Sequence, residues 1–261
     1  MVHNELSSRN KVAGLREMGV GVGRTTVYRA LASNEYLVAR RPRKGMYITK
    51  QHLLNRKEWV KERLAEKVDW SRVMFSDAKL WCLDGPAGRP KMWQDTRLPP
   101  VRIPTKGTRN AAVYVWAAFS LGKVPELSFP PSHYSAKQYC DMLGDQLQTH
   151  SYLKRYTLYH DRDPAHTAAS TEEWLEAHNW KARHFPAKGA DLNPMENIWA
   201  IMTRKIFGAT TTFTSKKALR AAIKRAWHEI QQDKGLRRKL VASMQKRLVA
   251  VAMRKGGLIS Y

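Results

Sequence analysis

The sequence predicts a mixed α/β fold: a sheet of short strands covered by helices, with a small helix-turn-helix at the N-terminal end. Three observations carry this reading. Apolar runs of strand length recur near residues 71–78, 91–94, 112–119, 155–161 and 180–185. Helical periodicity fills the intervals between the later runs, as a sheet covered by helices requires. Near the N-terminus, Gly19, Gly21 and Gly23 separate two short helical patterns.

Taken in order, residues 7–18 read as a helix and residues 25–32 as a second, opened by Thr25 and Thr26 as caps. Val27 and Leu31 fall one turn apart on the inner side, with Arg24 and Arg29 outward, which fits a helix-turn-helix. A generic helical hairpin is the alternative, because the turn is longer than the compact version. Arg40, Arg41, Arg43 and Lys44 follow in a stretch broken by Pro42 and Gly45. It reads either as an extended arm along phosphates or as a solvated linker. Thr49 then caps a helix over 50–66, with Leu53, Leu54, Val60 and Leu64 as its apolar side.

Residues 70–81 place Val73, Phe75 and Asp77 on one face of a strand. A turn and short strand follow over 84–97, and a buried strand over 109–120. Residues 135–149 form a helix with Tyr139, Met142, Leu143 and Leu147 on one stripe, and 167–178 form another. Trp180 to Phe185 is a short strand. A further helix opens with Asn193 as N-cap and Pro194 at its first position, with Met195, Ile198, Trp199, Met202 and Ile206 behind them. Two basic amphipathic helices fill 215–255. No internal repeat or low-complexity stretch appears.

Charge narrows the function. Against 22 Asp and Glu stand 46 Lys and Arg, a net +24 over 261 residues, which points to a polyanionic partner, nucleic acid before membrane. Charge alone leaves DNA and RNA open. The hydrophobic content of 43% supports a sizeable core. Cys82 and Cys140 stand apart from any Cys/His cluster, so no disulfide framework or structural zinc is expected. The N-terminus lacks the apolar core of a signal peptide, and the run Ala111 to Phe119 is too short to span a bilayer, so a soluble intracellular protein is expected.

Two acids occupy settings that packing alone does not call for. Asp161 ends the extended run Tyr156 to His160, where a side chain reaches the rim of a sheet. Glu196 sits in the first turn of a helix, and 34 residues lie between the two. Each has a plainer reading: Asp161 as a turn-former, and Glu196 as the capping-box partner of Asn193.

The stretch HDRDPAHTA (160–168) resembles the QDNAPxHxA motif of the mariner-like DDE transposases, and FPAKGADLNPMENIW (185–199) resembles their WPxxSPDLNPIENxW. The spacing of the two acids is that of the Tc branch of the Tc/mariner superfamily. FSDA (75–78) resembles the family's FSDE, making Asp77 the first acid of a triad whose plainer reading is a surface acid at a strand end. GRTTVYRAL (23–31) resembles a recognition-helix region, and the ending from Arg247 to Tyr261 resembles the family's RLxxVIxxxGxxINY. The likeness therefore runs from about residue 20 to the end.

The resemblance implies a ribonuclease-H-like catalytic domain over 70–261, a basic linker and connecting helix over 40–69, and a partial helix-turn-helix over 1–39, shortened relative to the family. It implies Asp77, Asp161 and Glu196 as catalytic and metal-binding residues holding Mg2+ or Mn2+, two ions in all, for cleavage and strand transfer on DNA. DNA contacts would come from Arg24, Thr25, Thr26, Tyr28, Arg29 and the basic arm. Transposon ends and target DNA are the implied partners, a homodimer the assembly, and the nucleus the place of action. His166 keeps the family's position, either as an accessory beside the site or as a polar helix-start residue, and Asp163 adds a carboxylate that could support or misplace an ion.

Some positions depart from the family. His160 and Arg162 replace Gln and Asn beside Asp161, and strand alternation predicts that Arg162 points away from it. Ala111, Ala112 and Ala117 stand where glycines are usual, so added methyls could obstruct close approach. These departures keep open a catalytically silent, transposon-derived DNA-binding protein. A basic RNA-binding or structural protein would explain the charge but not the matched motifs.

Overall fold

The computed structural model describes residues 17–33, 47–85, 112–122, 124–131, 133–148, 154–207 and 212–260, the side chains of Arg24 and Leu31 excepted. The chain divides into two compact units, residues 1–47 and 48–261.

In the smaller unit, α1 spans Arg24–Ala32 with Gly23 at its N-cap and no side-chain cap. Thr25 and Thr26 are therefore exposed residues of the first turn rather than caps. Val27 is buried, while Tyr28 and Arg29 are exposed. The partner helix expected over 7–18 lies outside the described residues, as does the basic arm of Arg40, Arg41, Arg43 and Lys44, and a helix-turn-helix is not evident.

The larger unit opens with α2, Lys50–Ala65, capped reciprocally by Thr49 and His52. Its buried side is Arg56, Trp59, Val60 and Arg63, whereas Leu54 is exposed. Of the expected apolar side, Val60 is buried and Leu64 packs against the core, and Leu54 alone is on the surface. Arg56 goes inward because backbone carbonyls and a carboxylate there satisfy its guanidinium, which repetition of apolar residues cannot reveal.

Strand β1, Val73–Cys82, pairs antiparallel with β2, Ala112–Phe119, and parallel with β3, Thr157–His160. The third strand pairs parallel with β4, Ala182–His184, giving the order β2-β1-β3-β4. The strand expected near 91–94 lies outside the described residues. Helix α3, Ala136–Leu143, continues into a wider turn of π helix, Gly144–Gln148. Then come α4, Ala169–Ala177; α5, Met195–Phe207; α6, Lys216–Gln232; and α7, Lys234–Met253.

Strand alternation divides the core into two layers. Val73, Phe75, Val113, Val115 and Ala117 join side chains of α2, α5, α6 and α7 on one face. Met74, Trp116 and Ala118 join Tyr139, Leu143 and Leu175 of α3 and α4 on the other. Removing each large side chain from water contributes roughly 1.5–3 kcal/mol. Ala78 packs with the second layer, so the departure from the family's Glu lies on the face away from Asp77. Ala117 pairs directly with Asp77 and is fully buried in the first layer, so its methyl meets core rather than solvent. Among the described residues no helix is long and apolar enough to cross a membrane.

Candidate active site

Asp77, Asp161 and Glu196, together with Asp163, Asn193 and Arg162, line one cleft of about 380 Å³ at the edge of the sheet. Three different elements deliver the acids. Asp77 belongs to β1, Asp161 follows the last residue of β3, and Glu196 stands in the first turn of α5.

Helix α5 is launched from the sheet itself. Asn193 is buried; its side-chain amide donates to the Ser76 carbonyl at 3.0 Å while its oxygen accepts the Met195 N–H at 3.1 Å. The helix start is thereby tied to the residue before Asp77. The Asn193 N–H already donates to the Ala190 carbonyl, which removes the donor a capping-box role for Glu196 would need. Glu196 is exposed and faces the cleft instead.

The acids differ in electrostatics. Asp77 is half-buried, and its Oδ2 accepts the indole N–H of Trp199 at 2.8 Å. Burial, then the charges of Glu196 and Asp161, push its carboxyl up to about 7 despite that bond. Asp161 goes the other way. Burial alone would raise it, but the hydrogen bond and charge of His166, the Asp163 N–H and nearby His160 bring it below the ordinary value.

His166 is buried and reaches Asp161 Oδ1 through Nδ1 at 2.7 Å and the Tyr134 hydroxyl through Nε2 at 3.0 Å. With the carboxylate accepting, Nδ1 carries a proton, and the Tyr134 hydroxyl is the partner of Nε2. Position 166 is therefore not merely a helix-start residue. His160 turns away from Asp161: its Nδ1 meets the Tyr139 hydroxyl at 3.0 Å, and its ring stacks between His166 and His184. Burial above all holds its imidazole well below the usual range, hence neutral. Sequence reading missed Tyr134 and Tyr139, since neither carries a motif; only the fold brings them beside the acid.

The expected orientation of Arg162 fails here. The third strand stops at His160, so alternation does not extend to Arg162 or Asp163. Arg162 lines the cleft with the acids, its Nε donating to the Phe185 carbonyl at 3.3 Å, and does not point away from them. Asp163 forms a turn, accepting the Ala165 N–H at 2.9 Å while its own N–H binds Asp161 Oδ1 at 3.0 Å.

Among the described residues no three His, Cys, Asp or Glu side chains form a ready-made ion cage. The donor set still suits a hard divalent cation. Trp199 occupies one oxygen of Asp77, and His166 with the Asp163 N–H occupies one oxygen of Asp161. Both carboxylates line the cleft, and the repulsion from Glu196 and Asp161 that adds to burial in raising Asp77 is what a cation would relieve. Mg2+ takes few protein ligands and completes its shell with water and phosphate oxygens, so an incomplete cage fits it.

Comparison with known proteins agrees with this geometry. A family model described as DDE superfamily endonuclease matches residues 72–220. The Tc3 transposase of Caenorhabditis elegans is 28% identical over 250 residues, covering 94% of this chain and 74% of its own. The Tc1 transposase of the same organism is 24% identical over 232 residues, covering 86% and 84%. Among solved structures, a Mos1 transposase paired-end complex with the left transposon end superposes with a TM-score of 0.72 at 18% identity, covering 100% of this chain and 83% of that one. The catalytic domain of Mos1 mariner transposase alone gives 0.62 at 18% identity, covering 83% and 100%. The latter two share the ribonuclease-H-like fold.

Proposed function

Because the chain belongs to the DDE superfamily of endonucleases, we propose that it is a Tc/mariner-type transposase that cuts DNA at transposon ends and joins them to target DNA. The observation that carries this reading is the convergence of Asp77, Asp161 and Glu196 on one cleft from three separated stretches of sequence.

Asp77, Asp161 and Glu196 would hold Mg2+ or Mn2+, two ions in all. Such ions, when bound, activate an attacking oxygen and stabilise a departing one on a phosphodiester. The protein's own groups prepare the site. His166 holds Oδ1 of Asp161, a residue of the cleft lining. Trp199 holds Oδ2 of Asp77, whose carboxyl is raised to about 7 and would have to be deprotonated to hold a cation. Asn193 fixes Glu196 relative to Asp77 by joining the start of α5 to β1.

The exposed Thr25, Thr26, Tyr28 and Arg29 of α1, with Arg24, supply contacts to the terminal repeats, and the basic arm of Arg40, Arg41, Arg43 and Lys44 follows the backbone. Two transposon ends call for a homodimer on DNA, working in the nucleus. The division of labour follows: residues 1–39 bind DNA, 40–69 connect, with α2 of that stretch packed into the larger unit, and 70–261 cut. The silent DNA-binding alternative is disfavoured because His160 turns from the cleft and Ala117 lies in the core.

Nicking of supercoiled plasmid with Mg2+ or Mn2+ tests the proposal, with Asp77→Asn, Asp161→Asn and Glu196→Gln as controls. The expected outcome is metal-dependent nicking by the unaltered chain and background levels in all three variants. Binding of DNA with no nicking, including on authentic element ends, would favour the silent protein.

A further inference from the structure

The cleft has two cations whose role the triad chemistry leaves unassigned. Arg162 stands at the Asn position of the motif that residues 160–168 resemble. It is exposed, and its Nε is engaged by the Phe185 carbonyl at 3.3 Å, which steadies the guanidinium at the cleft mouth and leaves its two terminal nitrogens available. Lys188 lies on the facing loop, also exposed and lining the cleft. Its backbone is in the left-handed region, φ 59, and its carbonyl is gripped by Arg56 Nη1 at 2.6 Å, so the lysine is presented from a fixed turn. Among the described residues no carboxylate pairs with Arg162 or Lys188, although Asp77, Asp161, Asp163 and Glu196 line the same cleft.

Two cations with no direct carboxylate partner among the described residues are open to an anionic visitor in this cleft. A planar guanidinium with both terminal nitrogens free matches two oxygens of a phosphate, and an ammonium acts as a second point charge. We propose that Arg162, assisted by Lys188, grips a phosphate of the strand being cut, within about a nucleotide of the scissile bond, and so offsets the repulsion between the acidic cleft and its polyanionic substrate. This rests on the endonuclease reading above. The rival role, a cation that merely competes with metal for Asp161, makes a different prediction and is separable.

The test uses the full chain with Arg162→Gln, Arg162→Lys and Lys188→Gln, each at an exposed position and checked for an unchanged Tm. On plasmid nicking, Arg162→Gln raises KM by roughly tenfold, the worth of a charge-assisted contact, with kcat little changed, and Arg162→Lys recovers part of the loss. In EDTA, on a duplex oligonucleotide with a single-stranded tail, the slope of log affinity against log salt becomes shallower by about one for Arg162→Gln. Mn2+ affinity of the DNA-free protein, read by electron paramagnetic resonance, stays the same. An unchanged KM and salt slope overturn the proposal, and a rise in Mn2+ affinity with KM unchanged assigns Arg162 to the metal instead. If the unaltered chain does not nick under any metal, the endonuclease reading has failed, and the salt slope alone decides for or against Arg162.

Discussion

Two loops frame the cleft, and they are held in opposite ways. The loop after β3, residues 161–168, is secured mainly from within. Asp161 accepts from Asp163 and His166, Asp163 accepts from Ala165, and Thr171 reaches back to the Ala165 carbonyl at 2.7 Å. The loop before α5, residues 185–194, is secured from far away. Arg56 of α2 makes paired contacts with Asp191 at 2.7 Å, and binds the carbonyls of Lys188, Gly256 and Gly257. Arg247 of α7 holds the Asp191 carbonyl at 2.7 Å, and the Ile259 N–H donates to Asp191 Oδ2 at 2.9 Å.

The contrast teaches that the two halves of one site have different vulnerabilities. The first loop is stiffened chiefly by short-range contacts of its own turn, with Tyr134 and His184 as neighbouring supports, so it depends less on the far end of the chain. The second borrows its shape from a buried ion pair and from the C-terminal segment, so it exists only in the completed fold. Damage to the first should change chemistry more than stability; damage to the second should change both.

The largest effect should come from breaking the remote clasp. Arg56→Ala leaves Asp191 facing the core without its guanidinium, and loss of one partner of such a buried pair costs roughly 3–5 kcal/mol. A large fall in Tm together with loss of nicking is expected, while a variant of normal Tm would break the contrast. Gly256→Ala strikes the same clasp from the tail. Gly256 has φ 91, and a methyl there would come within 2.1 Å of the Leu53 carbonyl, so thermal unfolding should again move well down.

His166→Asn probes the local loop. Loss of an outer hydrogen-bond partner to a metal ligand typically costs 10–100-fold in affinity or activity, so Mn2+ affinity should fall by that order. Tm should move less than for Arg56→Ala, measured in the same buffer, and an equal drop would erase the distinction.

A pH series sharpens the comparison at the acid between the loops. Asp77 has its carboxyl raised from the unfolded value of 3.8 to about 7, so the folded metal-free protein binds more protons than the unfolded chain between those values. With the unfolded state binding fewer protons, stability must fall as pH rises across that window and level off above it. Asp77→Asn should therefore raise the Tm of the metal-free protein at pH 8 and flatten this part of the profile, and Mn2+ affinity of the unaltered chain should weaken as pH falls from 8 to 6. The smallest expected change is Tyr134→Phe, which removes one hydrogen-bond partner of His166 and should cost about 1 kcal/mol with only a modest loss of nicking.

Much of this was legible in the chain itself. Strand period put Val73, Phe75 and Asp77 on one face, Asn193 announced the start of α5, and Thr49 that of α2, because caps and alternation are local rules acting over a few residues. The motifs around Asp161 and Glu196 brought both acids to notice for the same reason: each sits in a short stretch whose neighbours are fixed. The end of β3 was read one residue late, and with it the direction of Arg162, since strand ends are set by pairing with β4 and not by the strand's own residues.

Sequence by itself therefore determined which residues could form strands, where helices begin, and which acids were candidates. The tertiary structure alone decided that Arg56 is core and Leu54 surface, that Tyr134 and His166 serve Asp161, and that Asp191 answers to residues from the far end of the chain. The physical reason is desolvation. Whether a polar group is buried depends on partners that satisfy it, and those partners are supplied by distant segments meeting in space rather than by any pattern along the chain.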